Sequence, residues 1–569
     1  MVGHRFSRHT YLVVLVVVIF ILFRGFPQSF GVTSSHRARR VRFVPSSFNW
    51  TEANLHFPPG KITALPEGNV KKLPRVQYEF KYPSREQGKI NADRRDAVKR
   101  AFLRSWNAYK HEAWLWDELK PVSGGGKNTF GYLLPRLKPS YQPPLWIFGL
   151  YEDFYEAAEA ATRLDWAKTE QTSANMFETT IRYLGGLLSA HDLSGELALL
   201  EKARELGDML YMGFDTPNRL PGFWLNFEEA LNGRLLAGTN DPSASPSSLS
   251  LEFTRLAQLT GNDKYYDAID RVRQFLVRSQ DHTRLPGMWP TTLDFRHEAA
   301  NGDTFTLGAL ADSLYEYLPK MHILTGGLER SYELMYRKAI DTATQHIIFR
   351  PMLPDQVDVL FAGDATVAGN GQVQRNPETQ HLACFAGGMY ILGGKIFDLN
   401  DHVEIGMRIA RGCAWAYSAF PTGLMPEIFG LLSCPSKEPC QWDEKLWDEE
   451  GDQSLNIKGI QHARDRRYVL RPEAIESIFY AYRVTGREEL RDIAWEMFQS
   501  IVNATETPIA YSAISDVTAH GDTDKMDSME SFWTSETLKY FYLIFSPPDV
   551  VSLDDYVLNT EAHLLRRPN

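Results

Sequence analysis

The chain has 569 residues, 43% of them hydrophobic and 12% aromatic, ample for a large core. Its 61 basic residues against 71 acidic ones give a net charge of -10, and no basic stripe interleaves with aromatics, which argues against a nucleic-acid partner. Four cysteines without a CxxC pair and fifteen histidines without HExxH argue against zinc.

At the N-terminus, His4, Arg5, Arg8 and His9 precede thirteen apolar residues from Tyr11 to Phe23. That run is short for a spanning helix and within the range of a signal-peptide core. Arg24, Phe26 and Pro27 follow in place of a small-x-small cleavage site. The expectation is therefore a cytosolic tail over 1–10, a signal anchor in the membrane over 11–26 and a luminal remainder. The sequons Asn49-Trp50-Thr51 and Asn503-Ala504-Thr505 fit that compartment. Residues 27–90, rich in Pro, Ser and basic residues, read as a stem. A charged helix, "ADRRDAVKRAFLRSWNAYKHEAW", then opens a globular part over 91–569.

Beyond this helix the chain repeats. Leu193-Ser194-Gly195 recurs as Leu259-Thr260-Gly261 and Leu324-Thr325-Gly326, and more loosely as Leu392-Gly393-Gly394 and Val484-Thr485-Gly486. Each turn follows a mostly apolar helix and precedes an amphipathic one, and glycine after a helix is a usual stop signal. Helical hairpins at a period near 65 residues imply stacking into a solenoid or a closed ring. The apolar helices belong inside, and a closed toroid fits best.

Those inner helices carry isolated acids. "LRPEAIESIFYAY" sets Ile475, Ile478, Phe479 and Tyr482 on one stripe and Glu473, Glu476 and Tyr480 on another. "NMFETTIRYLGGLL" spaces Asn175, Glu178 and Arg182 helically; "LSLEFTRLAQL" holds Glu252, "LGALADSLYEYL" Asp312 and Glu316, and "MESFWTSETLKYFYLIF" Glu536. A buried carboxylate needs a partner, a proton or a solvated cavity. Taken singly each acid fits a structural role, as Glu178 and Arg182 fit an i,i+4 ion pair. Several together, beside aromatics, make a sugar site with a carboxylate pair for hydrolysis the better reading.

Seven ordered stretches carry a resemblance: "MFETTIRYLGGLLSAHDLSG", "LSLEFTRLAQLTG", "LGALADSLYEYLPK", "QHLACFAGGM", "LRPEAIESIFYAYRVTG", "SFWTSETLKYFYLIFS" and "YVLNTEAH". From about residue 95 to the end the chain resembles the class I alpha-1,2-mannosidases, glycoside hydrolase family 47, and its multi-mannose-trimming fungal type. The resemblance implies an all-α (αα)7 barrel with Ca2+ at its base. It also implies inverting hydrolysis of terminal alpha-1,2-mannose on high-mannose N-glycans, here at an ER or Golgi membrane. Glu178 matches the proposed general acid, Asp312 a second essential acid relaying a proton through water, and Glu473 the base. Arg182, His381, Arg471, Glu476, Phe532 and Glu536 match residues lining the mannose subsite, and Asn175 and Glu252 join them as candidate contacts. Thr560 matches the calcium ligand, and Cys384 with Cys413 the disulfide. Leu310 stands where members that remove one mannose have Arg and those that trim several have Leu.

Two stretches depart from the family pattern. Residues 131–150, "GYLLPRLKPSYQPPLWIFGL", bring four prolines where a first inner helix is expected, and Pro does not sit inside a regular helix. Ser245-Pro246-Ser247 stands where an acid near Ser245 usually helps bind the glycan. The alternative reading is a weak or inactive glycan-binding quality-control protein of the same fold; retention of Glu178, Asp312 and Glu473 favours the enzyme. A toroidal prenyl or terpene cyclase lacks its aspartate motifs here. "GGGKNT" at 124–129 is a poor phosphate loop, because Asn128 follows the lysine.

Overall fold

Apolar helices followed by glycine turns must bury their faces against one another, and the chain does so by closing into a ring. The computed structural model describes residues 41–128, 139–167 and 172–568. Among these, seven inner helices follow in order: Gln142–Ile147, Gly185–Ser194, Ser250–Thr260, Asp312–Leu324, Phe385–Ile396, Glu473–Thr485 and Leu538–Phe545. Each packs against the next, and the turn Trp533–Thr537 leading into the seventh packs against the first, closing the ring. Arg85–Glu112, Tyr151–Ala161, Leu197–Tyr211, Lys264–Ser279, Ser331–His346, Asn400–Ala419 and Glu489–Thr505 form the outer layer. The expected anchor over 11–26 lies outside the described residues, and no helix within them is long and apolar enough to cross a membrane.

The first inner helix survives in short form. Pro139 sits in the single 3-10 turn Pro139–Tyr141, and Pro143 and Pro144 sit at the start of Gln142–Ile147, where a missing N–H is tolerated. The neighbouring inner helix makes room through Gly186, where a Cβ would lie 2.8 Å from the Pro139 carbonyl carbon. Residues 131–138 lie outside the described residues.

The inner helices stop as the repeat predicts, with Gly195, Gly261 and Gly486 in left-handed backbone at φ 75°, 65° and 68°. Gly394 is the exception. It lies inside Phe385–Ile396, where a Cβ would come within 2.8 Å of the Leu399 carbonyl oxygen, so this glycine serves close packing.

The region read as a stem differs from Val41 onward. Trp50 and Val76 are buried, and the segment up to Ser84 straps the outside of the ring, from Asp215 after the outer helix Leu197–Tyr211 to the turns where the inner helices stop. Its backbone N–H groups are taken by aspartates: His56 and Phe57 donate to Asp215 at 2.8 Å, Thr63 to Asp267 at 2.8 Å and Val76 to Asp554 at 2.7 Å. Lys71 and Tyr78 donate to the carbonyls of Gly326 and Arg483. A proline-rich segment without periodicity can be fixed this way because its donors need acceptors, not a regular helix or sheet.

At the opposite end the connections are long and carry short strands. Ser173–Asn175 pairs with Trp224–Asn226, and Asp241–Pro242 with Thr292–Leu293. One three-stranded sheet joins Thr304–Thr306, just before the helix at Asp312, to Asp364–Val367 and Val373–Asn376, and another ends in Ile460–Asp465, before the helix at Glu473. Cys384 and Cys413 form a disulfide within one hairpin, and Cys434 and Cys440 close a local loop. Finally, the C-terminal hairpin Tyr556–Leu558/Leu564–Arg566 plugs the ring. Leu564 and Arg566 donate to Ser189 and Asp192 late in an inner helix, and its tip reaches inward.

Candidate active site

The inner helices run parallel, so their N-terminal turns gather at one rim. Glu178, Glu252, Asp312, Glu473 and Glu476 all lie in such turns, where the helix dipole favours negative charge. Asn175 caps its helix, its Oδ1 accepting from the Glu178 N–H at 3.0 Å. Arg182 and Glu536 fall in the two π-helical turns Thr179–Leu184 and Trp533–Thr537. Such widened turns occur often at functional sites.

Exposure sorts the acids. Glu178 and Glu473 keep 23% and 17% of their side chains open, and Asp312 is half-buried. Glu476 and Glu536 are buried, and Glu252 has no exposed surface. The Glu252 carboxylate accepts from Asn559 Nδ2 at 2.7 Å and Tyr317 Oη at 2.9 Å, so it holds the hairpin tip. Glu252, expected from the sequence as a glycan contact, is bonded here to the hairpin tip and to the inner helix Asp312–Leu324.

Glu473 sits between His381 and Arg471. His381 Nδ1 lies 3.4 Å and Arg471 Nη1 3.5 Å from its carboxylate, close enough for charge and long for strong hydrogen bonds. Burial pushes this carboxyl up, but the His381 contact and the Arg471 charge outweigh it and leave Glu473 below the ordinary glutamate value. His381 is fixed from behind by Tyr417 at 2.9 Å. Arg471 is fixed by Glu427 at 2.7 and 2.9 Å and lies over the Phe532 ring.

Asp312 behaves oppositely. Burial, reinforced by Glu316 and Glu473, raises its pKa to about 7 against the pull of the Ser313 N–H and Arg471. Two carboxylates close enough to feel each other's charge thus shift in opposite directions, as acid and base chemistry at one pH requires.

Below them lies a charged floor. Arg182 bridges Glu178 at 2.5 Å and Glu561 at 2.8 Å. Lys320 pairs with Glu316 and lies 3.9 Å from Glu476. Burial raises Glu252 to about 7 and Glu476 to about 8, and raises Glu536 well above its usual range, with the neighbouring Glu561 adding to it. Burial also lowers Lys539, which donates to the Ala562 carbonyl, to about 7. Thr560 occupies the hairpin tip, its N–H bonded to Tyr317 Oη at 3.3 Å. Among the described residues no three His, Cys, Asp or Glu side chains group closely enough to hold a metal by themselves.

Residues 101–567 match Glycosyl hydrolase family 47. The chain belongs to that family. Among other family 47 relatives, it is 34% identical to the human "Endoplasmic reticulum mannosyl-oligosaccharide 1,2-alpha-mannosidase", over 85% of this chain and 66% of that one. This falls just short of two thirds of the human protein's length. It is 31% identical to the Aspergillus clavatus "Probable mannosyl-oligosaccharide alpha-1,2-mannosidase 1B", over 85% of this chain and 96% of that one. The structure of an alpha-1,2-mannosidase from Trichoderma reesei superposes with a TM-score of 0.74 at 30% identity, covering 84% of this chain and 99% of that chain.

Against that family frame, sequence reasoning missed Glu427, Lys320, Tyr317, Asn559, Glu561 and Lys539. Glu561 and Asn559 stood inside the quoted stretch "YVLNTEAH", and Lys320 stood four residues after Glu316. Glu427 had no local signal, because its partner Arg471 lies 44 residues away.

Proposed function

We infer that this family 47 protein is a mannosyl-oligosaccharide 1,2-alpha-mannosidase that removes terminal alpha-1,2-linked mannose from high-mannose N-glycans with inversion. The observation that carries the reading is the opposite drive on Glu473 and Asp312. Glu473, held ionised by His381 and Arg471, takes a proton from the attacking water. Glu178 and Asp312, on two other hairpins, deliver a proton to the leaving oxygen, Glu178 as the acid and Asp312 through water. Acid and base on separate helices leave room for the nucleophile that an inverting reaction needs. Arg182, His381, Arg471, Glu476, Phe532 and Glu536 line the cleaved mannose.

The floor also suits calcium. Glu252, Glu473 and Glu561 each keep a buried carboxylate oxygen without a hydrogen-bond partner. Those of Glu252 and Glu561 lie at the hairpin tip beside Thr560, and oxygens of this kind are what a hard divalent cation takes. Thr560 would hold the ion through its carbonyl and hydroxyl oxygens. Bound there, calcium supplies oxygen-seeking charge that orients sugar hydroxyls.

We place the protein at an ER or Golgi membrane, anchored by residues 11–26. Leu310, at the open rim two residues before Asp312, offers apolar contact and room where Arg would offer fixed donors, which favours successive trimming. The test is a time course of the purified protein on a free nine-mannose N-glycan with isomer-resolved products. Several alpha-1,2-mannoses should leave in succession while alpha-1,3 and alpha-1,6 linkages stay. A clean stop after one mannose would refute the role of Leu310, and no release at all would refute the enzyme.

A further inference from the structure

Beside the catalytic rim stands a tryptophan that no catalytic role uses. Trp224 is 51% exposed. A single exposed aromatic needs no explanation in general, but this one is held in an ordered frame next to the chemistry. In the strand pair Ser173–Asn175/Trp224–Asn226, Trp224 lies directly opposite Asn175, so the two side chains share one face. Asn175 is the residue whose side chain caps the Glu178 N–H. The adjoining Phe223 carbonyl accepts from the Met176 N–H at 3.0 Å, and the Phe223 ring meets the indole edge-on with centroids 5.3 Å apart. The indole is therefore set by the same backbone that, through Asn175, caps the helix of the general acid.

Two further exposed apolar side chains continue this rim. Leu236 is 51% exposed, and its segment packs so closely on the tryptophan strand that a Cβ on Gly222 would lie 3.3 Å from the Leu236 carbonyl oxygen. Leu310 is 48% exposed, and its carbonyl accepts from the Ala244 N–H at 2.8 Å and from Ser243 Oγ at 3.2 Å. Leu310 holds left-handed backbone at φ 76°, a conformation leucine adopts only where surroundings impose it. Trp224, Leu236 and Leu310 thus lie along connected backbone running from the Glu178 helix to the Asp312 helix.

We propose that Trp224 is the stacking platform for a sugar of the glycan outside the cleaved mannose, with Leu236 and Leu310 extending that outer wall. A pyranose presents one apolar C–H face, and a flat, preset indole matches it while the hydroxyl edges stay in water. The occupant is carbohydrate because the wall is continuous with the catalytic rim and the exposed side chains named are uncharged. This inference rests on the mannosidase reading.

The test compares kcat/KM on the free nine-mannose oligosaccharide with kcat/KM on alpha-1,2-mannobiose, which has no outer arms. In Trp224→Ala the ratio of the two should fall about tenfold, the worth of one stacked ring, and Trp224→Phe should restore most of it. Intrinsic fluorescence of Glu473→Gln titrated with the oligosaccharide should change, and the change should shrink when Trp224→Ala is added. An unaltered ratio, or an equal loss on both substrates, overturns the proposal. So does a defect seen on intact glycoprotein but absent on free glycan, since the wall would then contact polypeptide. If the unsubstituted protein cleaves neither substrate, the mannosidase reading fails, and the fluorescence titration still decides whether Trp224 meets the glycan.

Discussion

Where the inner helices begin, the ring has long connections, short strands, half-exposed acids and an apolar rim. Where they end, it has short glycine turns, Asp267 and Asp554 gripping a strap, and the plugging hairpin. Both ends use carboxylates, yet for different work. Asp267 and Asp554 are satisfied by backbone N–H groups and by Arg271, Arg75 and Arg567, whereas Glu473 and Asp312 are left with imperfect partners. A carboxylate satisfied on all sides fixes a chain. One held between competing charges can exchange a proton.

The comparison breaks if an acid of the first end proves structural. Glu473→Gln should lower kcat roughly a thousandfold while glycan binding persists, because the amide keeps the shape and loses the base. Near-normal kcat in that variant would move the base elsewhere. Exhaustive chelation should abolish turnover and calcium should restore it, because Thr560 and the unpartnered carboxylate oxygens of Glu252 and Glu561 offer it oxygen donors. Full turnover in metal-free buffer would contradict that.

The pH profile sharpens the contrast within the first end. Glu473 is depressed, so the base is lost only below the ordinary glutamate range. Asp312 is raised to about 7, so its proton is present at lower pH and lost as the pH rises through that value. The kcat profile should therefore fall on the alkaline side near pH 7. An unchanged alkaline limb in Asp312→Asn would assign it to another group.

The smallest effects belong to the second end. Gly261→Ala meets open space, so only its left-handed φ is strained, a cost of about 1 kcal/mol. Gly486→Ala would also place a Cβ 2.4 Å from the Tyr78 ring of the strap and should cost more. Both should leave kcat unchanged; equal unfolding midpoints for the two would deny the strap its grip.

The ring was legible in the sequence because its period is local. Each inner helix announces itself by apolar residues and a terminal glycine, and the acids stand out among them. The strap was not legible, since its stability resides in Asp215, Asp263, Asp267 and Asp554, up to 478 residues away. The shortened first helix was half legible: four prolines forbade a full helix, while Gly186 opposite them gave no sign that it makes room. At the site, Glu178, Asp312 and Glu473 were visible as buried-helix acids. The brace of Glu252 on Asn559 was not, because it joins residues 307 apart.

The stereochemistry of the released sugar tests the account most directly. Acid and base on separate helices, with water between base and sugar, require inversion. Proton NMR during early hydrolysis of the nine-mannose glycan should show beta-mannose appearing first, with the alpha anomer growing in by mutarotation. Initial release of alpha-mannose would mean a covalent intermediate and would contradict the assignment of Glu473 as a base acting through water.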